Sequence, residues 1–367
     1  MTARLHPDYR LLIAFGILLV FGLVMLSSAS AVVGFERFGD SYYFLKRQLA
    51  AAAIGLVFFF IFSRFDYRRW QRLAVPIFII SVLLLLLVFM PNLGQSYGTF
   101  ARRWVRLGPL TFQPSEIIKL TMIIYLAAWL SGRDRKLGSF KLTFLPFMAV
   151  LAVTLGLVVF QPDIGTAFIL AFIAAGIYFL SGGRFAHLAL LFGAGLISFV
   201  LLLQYRPHAA DRFKIFLHPE LDPQGIGYHI NQAYLAIGSG GLFGRGFGQS
   251  RAKFQYLPEV YGDSIFAVIA EEFGFAVVAA LLILFLYVLY RGLYTARAAP
   301  DGFGRLLSAG IILWFTGQTL VNISAMVGLL PLTGIPLPFI SYGSSAMVTS
   351  LAAVGILANI STRRRDL

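Results

Sequence analysis

Four carboxylates stand close together in the stretch YLPEVYGDSIFAVIAEEFG at residues 256–274, directly before the apolar run FAVVAALLILFLYVLY. Asp263 lies where a long polar loop meets the first turn of a predicted membrane helix. Asp263 is therefore a candidate functional carboxylate at the mouth of this helix. The alternative is that Asp263 caps the helix N-terminus. Glu259, four residues earlier, is interpreted as a cavity-rim residue or a solvated loop charge.

Glu271 and Glu272 fall inside the apolar helix itself. Carboxylates within a membrane span are costly and normally face a bundle interior or a water-filled cavity. Adjacent helical residues point about 100° apart, so the two side chains cannot share one small site. We therefore predict that they form structural pairs with a cation from another span, or that they line a cavity.

A lysine and a group of three arginines precede these acids in the chain. In TFQPSEIIKL, Glu116 and Lys119 stand three residues apart and share one helix face, which predicts a self-contained ion pair. The functional alternative is that Lys119 holds an anion near the outer surface or tunes Asp263. Just upstream, the segment ARRWVRLGP carries three arginines around Trp104. Arginine forks suit phosphate and pyrophosphate, whereas the alternative is contact with lipid headgroups.

A further acid, Asp163 in QPDIGTA, separates two apolar runs with almost no loop, and it is either a helix cap or part of a site. Charges of both signs thus gather on one side of the predicted membrane. This pattern is typical of a site for an anionic lipid or a phosphate-bearing substrate. The candidate substrate-binding residues are Arg102, Arg103, Trp104, Gln113, Ser115, Glu116, Lys119, Asp163, Lys253, Glu259 and Ser341.

Composition indicates which elements must position these residues. Of 367 residues, 59% are hydrophobic and only 13% are charged, which predicts an all-α polytopic membrane protein. Ten apolar runs have a length suited to membrane spans. They cover residues 10–31, 46–62, 73–90, 116–130, 143–160, 164–180, 186–204, 264–290, 305–328 and 344–360. The first run lacks a small-residue cleavage site, so we interpret it as an anchor rather than a removed signal peptide.

The distribution of Lys and Arg predicts the orientation of these spans. Seventeen lie in the segments on the N-terminal side of the membrane and six in the short loops on the other side. Both termini are therefore predicted to be cytoplasmic. The long loop at 205–263, between the seventh and eighth spans, is then extracytoplasmic. Its stretch GYHINQAYLAIGSGG is typical of a short amphipathic helix, and the proline- and glycine-rich segment 328–343 predicts a re-entrant or broken piece.

No linker or repeat divides the chain, which is interpreted as a single domain over residues 1–367. Several function classes find no support in the sequence. It has no Walker loop, no HExxH metal motif, no GxSxG elbow and no nucleic-acid-binding module. Its five histidines are scattered without a convincing pair, and it has no cysteine. The net charge of +14 is explained by a cytoplasmic face beside anionic lipid.

Five motifs in order resemble the SEDS family (shape, elongation, division and sporulation proteins). They are ARRWVRLGPLTFQPSEIIKL, QPDIGTA, AIGSGGLFGRGFGQSRAKFQYLPE, GDSIFAVIAEEFG and LPLTGIPLPFISYGSS. LVMLSSAS and GLFGRGFGQSRAKFQYLPE are more similar to the FtsW branch than to the RodA branch. The chain departs from the common TDFIFAV and SYGGSS, since it has GDSIFAV and SYGSSA, which leaves the loop geometry and the branch open.

The resemblance implies ten transmembrane helices, a large loop between helices seven and eight, and peptidoglycan glycosyltransferase activity on lipid II in the bacterial cytoplasmic membrane. It places the family's required aspartate on Asp263, its charged pair on Glu116 and Lys119, and its QPD aspartate on Asp163. The implied substrates are lipid II and a polyprenyl-pyrophosphate-linked glycan. We expect inversion at the anomeric carbon, with Asp263 as the base and with Arg102, Arg103 and Lys119 stabilising the leaving pyrophosphate.

Partners and cofactors follow the same resemblance. It implies a class B penicillin-binding protein, a transpeptidase, together with division or elongation complex proteins. A divalent cation, Mg²⁺ or Mn²⁺, is compatible with pyrophosphate chemistry, but no ligand spacing in the sequence indicates one. Two alternative functions share the ten spans: a lipid II flippase, and a division scaffold without chemistry. Only the scaffold would tolerate the loss of Asp263, Lys119 and Arg102.

Overall fold

The computed structural model describes residues 6–95, 102–108, 110–132, 137–205, 207–222, 225–254 and 256–363. Six of the cations used above to predict orientation lie outside these ranges: Arg4, Arg133, Arg135, Lys136, Arg364 and Arg365. The helices are α1 (Tyr9–Ala29), α2 (Ala31–Phe38), α3 (Tyr43–Arg64), α4 (Tyr67–Leu87), α5 (Pro114–Ser131), α6 (Leu145–Phe160), α7 (Ile164–Leu180), α8 (Phe185–Tyr205), α9 (Pro207–Leu217), α10 (Ile226–Ser239), α11 (Ile265–Arg297), α12 (Gly302–Met326) and α13 (Ser344–Ser361). A π-helical turn at Phe140–Phe144 leads into α6, and a 3₁₀ turn covers Pro219–Leu221.

Within these ranges, eight helices are long and apolar enough to cross a membrane. They are α1, α3, α4, α6 with its π-helical turn, α8, α11, α12 and α13. The apolar α7 is shorter, and α5 carries the charges of Glu116 and Lys119. The protein is therefore a mostly helical, multi-pass membrane protein. Each of the ten predicted apolar runs coincides with one of these helices to within a few residues, apart from the C-terminal end of α11 and the N-terminal end of α4.

The interior of the bundle lies around α12 and α13, whose residues are largely buried by their neighbours. Glycine allows α3 and α13 to approach closely, because a Cβ at Gly55 would lie 2.6 Å from Leu351 Cδ1 and one at Gly355 would lie 2.6 Å from Phe59 O. Helix α8, in contrast to α12 and α13, exposes most of its apolar side chains, as a lipid-facing helix does.

Ion pairs join helix ends at the end of the bundle where α1 begins and α13 ends. Arg291 pairs with Asp8 at 2.6 Å, and Arg363 pairs with Asp66 at 2.8 Å. At the same end, Asn359 on α13 accepts from Tyr67 N at 3.0 Å and donates to Ser63 O at 2.8 Å. The predicted inside cations in the described part are thus partly neutralised by acids of neighbouring helices.

The all-α prediction misses a small antiparallel sheet between α4 and α5. Its strands are β1 (Gly94–Gln95), β2 (Trp104–Leu107) and β3 (Leu110–Phe112), in the order β1-β2-β3. Val105 is paired with both Gly94 and Phe112 and is fully buried, while its neighbour Arg106 is exposed. This alternation has the period of a strand, and Gly108 supplies the left-handed backbone (φ 60°) of the turn between β2 and β3.

The segment between α12 and α13 has no helix, yet much of it is buried, as predicted for a broken piece. Phe339 packs on Phe15 and Phe315, with ring centroids 5.1 Å apart in both pairs. A Cβ at Gly22 would lie 2.3 Å from Phe339 O, so the close approach of the α1 backbone to this segment requires a glycine at position 22. We call residues 327–343 the buried segment. Non-helical backbone of this kind is tolerated at membrane depth only inside the protein.

The long loop contains α9 and α10, and α10 corresponds to the predicted amphipathic helix. Residues Ile230, Ala233 and Ala236 form the buried face of α10. Beyond α10 the chain packs on α11, which is interrupted at Gly274 (φ 71°, ψ −173°). This loop therefore contacts α11 well inside its length before it returns to the start of the same helix at Asp263.

Candidate functional site

Asp263 lies at the junction of the long loop and α11, as predicted. The N-cap position of α11 is Ser264 rather than Asp263, which corrects the capping alternative. The backbone oxygen of Asp263 accepts a hydrogen bond of 2.8 Å from Asn322 Nδ2. The Oδ1 atom of Asp263 accepts from Ser264 Oγ at 3.4 Å. A Cβ at Gly334 in the buried segment would lie 4.0 Å from Asp263 Oδ2. Asp263 is thus partly buried: Asn322 of α12 contacts its backbone, and Gly334 of the buried segment lies near its carboxylate.

Burial raises the pKa of Asp263 to about 6. Backbone N–H groups, the cation of Arg212 and the hydroxyl of Ser264 oppose this rise, because each stabilises the ionised carboxylate. A carboxylate whose pKa lies close to the working pH is a better general base than an ordinary aspartate. Asp263 therefore combines the protonation behaviour and the location that a proton acceptor needs.

Arg212, on α9, is a cation that the sequence analysis missed. Its NH1 donates to Leu332 O in the buried segment at 3.4 Å. Burial and the charge of Arg103 lower the pKa of Arg212, whereas the charges of Asp263 and Asp163 raise it. The guanidinium therefore lies within electrostatic reach of both aspartates. Nothing in the sequence DRFKIFL distinguishes Arg212 from a solvated loop charge, because its neighbours depend on how the loop folds back.

A second group of site residues surrounds Asp163. Its Oδ1 accepts from Thr166 N at 3.3 Å as the N-cap of α7, which confirms the capping interpretation. The same carboxylate lies 3.8 Å from Arg103 NH1 and accepts from Ser115 Oγ at 3.3 Å and from Gln113 Nε2 at 3.5 Å. Capping and participation in a charged group are therefore compatible for Asp163.

The Asp163 group and Asp263 face the same stretch of the buried segment. A Cβ at Gly165, in the first turn of α7, would lie 2.8 Å from Thr333 O. Arg103 also donates to Pro162 O, which ties β2 to the start of α7. Arg102 is exposed just before β2, and Trp104 is partly buried within it. The two arginines and Trp104 thus lie at one end of α7, with Arg103 inside the group.

Lys119 is more deeply buried than the functional interpretation requires. Its Nζ lies 2.8 Å from Glu116 and 3.0 Å from Gln318 Oε1, and it stands over the Trp314 ring at 5.0 Å. The ion pair is therefore self-contained within the bundle. Gln318 also donates to Pro336 O at 2.8 Å, so the pair contacts the buried segment through an amide. Arg212, rather than Lys119, is the cation that lowers the pKa of Asp263.

Glu271 and Glu272 form structural pairs, as predicted, but their cations come from the long loop rather than from another span. Lys253 Nζ lies 3.1 Å from Glu272 Oε1, and Ser28 Oγ on α1 donates to the same oxygen at 2.7 Å. Arg245 NH1 lies 3.5 Å from Glu271 Oε1. Lys253 therefore belongs to this cluster and not to the group around Asp263, because it is buried against Glu272.

Other predicted or missed residues complete the surroundings of Asp263. Glu259 is exposed at the junction, and its Oε2 would lie 3.4 Å from a Cβ at Gly262. Ser341 belongs to the buried segment, and its side chain is itself buried. Its Oγ accepts a hydrogen bond from Leu337 N at 2.8 Å. His229 on α10, which sequence reasoning left unpaired, has its Nε2 2.6 Å from Ser264 Oγ.

Comparisons with known proteins agree with this architecture. The family model described as "Cell cycle protein", which covers FtsW, RodA and SpoVE, matches residues 9–366. The chain is 40% identical to stage V sporulation protein E of Bacillus subtilis over 99% of both chains. It is 41% identical to the "Probable peptidoglycan glycosyltransferase FtsW" of Trichlorobacter lovleyi, over 96% of this chain and 93% of the relative.

Solved structures give the same result. A chain from the structure reported as "Structural coordination of polymerization and crosslinking by a peptidoglycan synthase complex" has a TM-score of 0.81 and 30% identity, over 97% of both chains. The rod shape determining protein RodA of Thermus thermophilus has a TM-score of 0.71 and 29% identity, over 98% of both chains. The match to the family model spans nearly the whole sequence, and the two full-length relatives agree with it. The chain belongs to the FtsW/RodA/SpoVE family of cell cycle proteins.

Proposed function

We propose that this protein is a peptidoglycan glycosyltransferase that joins lipid II units into β-1,4 glycan strands at the outer face of the bacterial cytoplasmic membrane. The observation that carries the proposal is Asp263, a carboxylate with a raised pKa at the start of α11, beside Arg212 and the buried segment. Family membership supports the same reaction, because its relatives are named for it.

In the proposed reaction, Asp263 takes the proton of the acceptor's 4-hydroxyl as general base. The hydroxyl oxygen forms a new bond to the donor's anomeric carbon as the bond from that carbon to the pyrophosphate oxygen breaks, with inversion. The two electrons of the broken bond leave with the pyrophosphate. Both substrates keep their lipid tails in the bilayer and their sugars outside, which suits a base at the edge of the membrane.

The leaving pyrophosphate needs cations that are fixed before the reaction. Arg103 and Arg212 fit this role. Arg212 lies within electrostatic reach of both aspartates and donates to Leu332 O in the buried segment, and Arg103 lies 3.8 Å from Asp163 and donates to Pro162 O. Arg102 and Trp104 would extend the same surface outward. Lys119 and Glu116, together with Gln318, would hold the buried segment in place from inside rather than touch the pyrophosphate.

The finer topology is part of the proposal. Helices α1, α3, α4, α5, α6, α7, α8, α11, α12 and α13 would be the ten spans of one domain, with both termini cytoplasmic. The 17 residues of α7 extend about 26 Å, close to the hydrocarbon thickness of about 30 Å. The loop 205–263 would then be extracytoplasmic and would carry α9 and α10 above the site.

We also propose a class B penicillin-binding protein as partner, within a division or elongation complex. A match to a chain of a peptidoglycan synthase complex supports an assembly of this kind. A requirement for Mg²⁺ or Mn²⁺ stays a prediction. Among the described residues no three His, Asp or Glu side chains gather as a metal site, so no step is assigned to a cation.

The test is polymerisation of purified lipid II in liposomes by the full-length protein, with and without the candidate partner. We expect long glycan strands from the wild type and none from Asp263→Ala at matched protein levels and matched Tm. Normal strands from Asp263→Ala would exclude this residue as the base. No strands from the wild type with its partner, together with transfer of labelled lipid II across the bilayer, would favour the flippase instead.

A further inference from the structure

A chain of polar contacts runs from α10 to the carboxylate of Asp263. His229 Nε2 lies 2.6 Å from Ser264 Oγ, and Ser264 Oγ lies 3.4 Å from Asp263 Oδ1. Ser264 is fully buried and occupies the N-cap position of α11, although its side chain caps no backbone N–H group there. Its hydroxyl is thus available to the imidazole on one side and to the carboxylate on the other.

The direction of these hydrogen bonds follows from the number of protons. An ionised Asp263 can only accept, so the single proton of the Ser264 hydroxyl must be donated to it. The Ser264 oxygen must then accept from His229, which requires the proton of a neutral imidazole to be on Nε2. Burial and the charge of Arg212 lower the pKa of His229 to about 4, although Glu259 opposes this. His229 is therefore neutral near pH 7.

The fold holds His229 firmly in this place. Ile230, Ala233 and Ala236 bury one face of α10 against the rest of the protein. Tyr234 on the same helix fits against the buried segment, since a Cβ at Gly328 would lie 1.7 Å from its hydroxyl oxygen. An imidazole on a fixed helix can orient a hydroxyl more accurately than a mobile loop residue could.

We propose that His229 is a positioning residue for Asp263: through the Ser264 hydroxyl, it holds the carboxylate in the orientation in which Asp263 accepts the proton of the acceptor sugar. This inference rests on the proposed function. The distance from Ser264 Oγ to Asp263 Oδ1, 3.4 Å, is long for a hydrogen bond, and we expect it to shorten in the complex with substrate, as catalytic hydrogen bonds commonly do. A purely structural bond between α10 and α11 would instead affect stability without a specific effect on turnover.

A double-mutant cycle separates these two roles. The rates of lipid II polymerisation in liposomes are measured for full-length wild type, His229→Ala, Ser264→Ala and the double variant. We expect each single variant to lower kcat about tenfold with KM within about twofold, because the interaction acts in the chemical step. The double variant should also lose about tenfold rather than a hundredfold, since both residues act through one contact.

Two further variants complete the experiment. His229→Gln keeps an N–H donor close to the place of Nε2 and should restore kcat to within about threefold of the wild type. His218→Ala is the matched control, because His218 is an exposed histidine of the same loop that pairs with Glu220 at 3.1 Å. It should have the wild-type kcat. The Tm of every variant is measured, and Ser264→Ala, which removes one oxygen, keeps the test valid if His229→Ala does not fold.

Three outcomes would overturn the inference. Wild-type kcat in a folded Ser264→Ala or His229→Ala variant would do so, as would additive losses in the double variant. A loss in His229→Gln as large as in His229→Ala would also do so, because the donor would then be irrelevant. A wild type that makes no strands overturns the proposed function itself, so the failure of the general proposal is distinct from the failure of the positioning role.

Discussion

Asn322 on α12 holds the backbone of Asp263 in place: its Nδ2 donates to Asp263 O at 2.8 Å and also to Ile335 O at 2.8 Å. One buried amide thus joins the residue that we propose as the base to the buried segment. One turn earlier on the same helix, Gln318 connects Lys119 to Pro336 O. The site is therefore built on α12, even though its reactive side chains come from loops.

The first prediction concerns this amide. Asn322→Ala leaves two carbonyl oxygens without their donor, which costs about 1–3 kcal/mol for a buried acceptor. We expect a lower Tm and, because Asp263 and the buried segment lose their common support, a fall in kcat of at least about tenfold. Thermal unfolding and lipid II polymerisation by the same preparations provide the two readouts.

Asn359→Ala is the matched control for this variant. Asn359 is also a buried asparagine on a membrane helix that forms hydrogen bonds to two backbone groups, Tyr67 N and Ser63 O, but at the opposite end of the bundle. It should lower the Tm by a similar amount and leave the rate per folded molecule unchanged. Equal losses of activity in the two variants would show that Asn322 acts only on stability.

The apolar runs could be predicted from the sequence because hydrophobic length is a local property of the chain. The run 164–180 coincides with α7, and Asp163 caps it as its position suggests. The pairing of Glu271 and Glu272 was also predictable, since the cost of burying a carboxylate holds whatever its partner is. These conclusions depend only on residue type and on the cost of placing charge in a membrane, and not on tertiary contacts.

The contacts of Arg212 and His229 could not be predicted in the same way. His229 bonds to a residue 35 positions away, and Arg212 acts on Asp263 across a loop whose path no local pattern specifies. The surroundings of Lys253 could not be predicted either. Its charge suggested a substrate contact, but the loop delivers it to Glu272 inside the protein. The partners of a loop residue depend on tertiary packing, which propensity and periodicity do not encode.

The second prediction is a pH profile. The raised pKa of Asp263, about 6, means that its base form is lost as the pH falls through that value. We expect kcat/KM to be at a plateau above about pH 7 and to fall about tenfold per pH unit below about pH 5.5, as a single protonation requires. A profile that is flat down to pH 4.5 would contradict a base with this pKa.

Arg212→Gln tests the cause of that profile. Arg212 lowers the pKa of Asp263, so its removal should raise the pKa and move the acid limb to higher pH by about half a unit to one unit. Lys214→Gln provides the control, because Lys214 is an exposed cation on the same helix. Its acid limb should match that of the wild type. A shift of equal size in both variants would point to the net charge of the loop instead.

The third prediction concerns the buried pair of Lys253 and Glu272. Lys253→Met leaves Glu272, which is fully buried, without its cation, and breaking such a pair costs about 3–5 kcal/mol. The double variant Lys253→Met with Glu272→Gln should recover part of that loss, because no uncompensated charge remains. Thermal unfolding of the wild type, of each single variant and of the double variant measures the coupling.

Lys46→Met is the control for the buried pair. Lys46 and Asp40 also form an ion pair, at 2.8 Å, but both side chains are open to water. Exposed pairs contribute about 0–1 kcal/mol, so this variant should have nearly the wild-type Tm. If Lys253→Met were as mild as Lys46→Met, the long loop would not depend on Glu272 for its attachment to α11.

The fourth prediction concerns the interruption of α11 at Gly274. Its backbone has φ 71°, and a Cβ there would lie 2.3 Å from Gly244 N and 2.6 Å from Leu242 C. Gly274→Ala therefore forces either the helix or the loop to move, in addition to about 1–3 kcal/mol for a positive-φ, extended backbone that only glycine adopts readily. Since the same loop ends at Asp263, we expect a lower Tm together with loss of polymerisation.

Gly156 provides the comparison, because a Cβ at this position in α6 would meet no atom within 4 Å. Gly156→Ala should be neutral or stabilise the helix by about 0.5–1 kcal/mol, and it should polymerise lipid II normally. If Gly274→Ala kept full activity and only the Tm fell, the position of the loop on α11 would be unimportant for the site. If Gly274→Ala kept both full activity and the wild-type Tm, the loop would not approach α11 closely at this position.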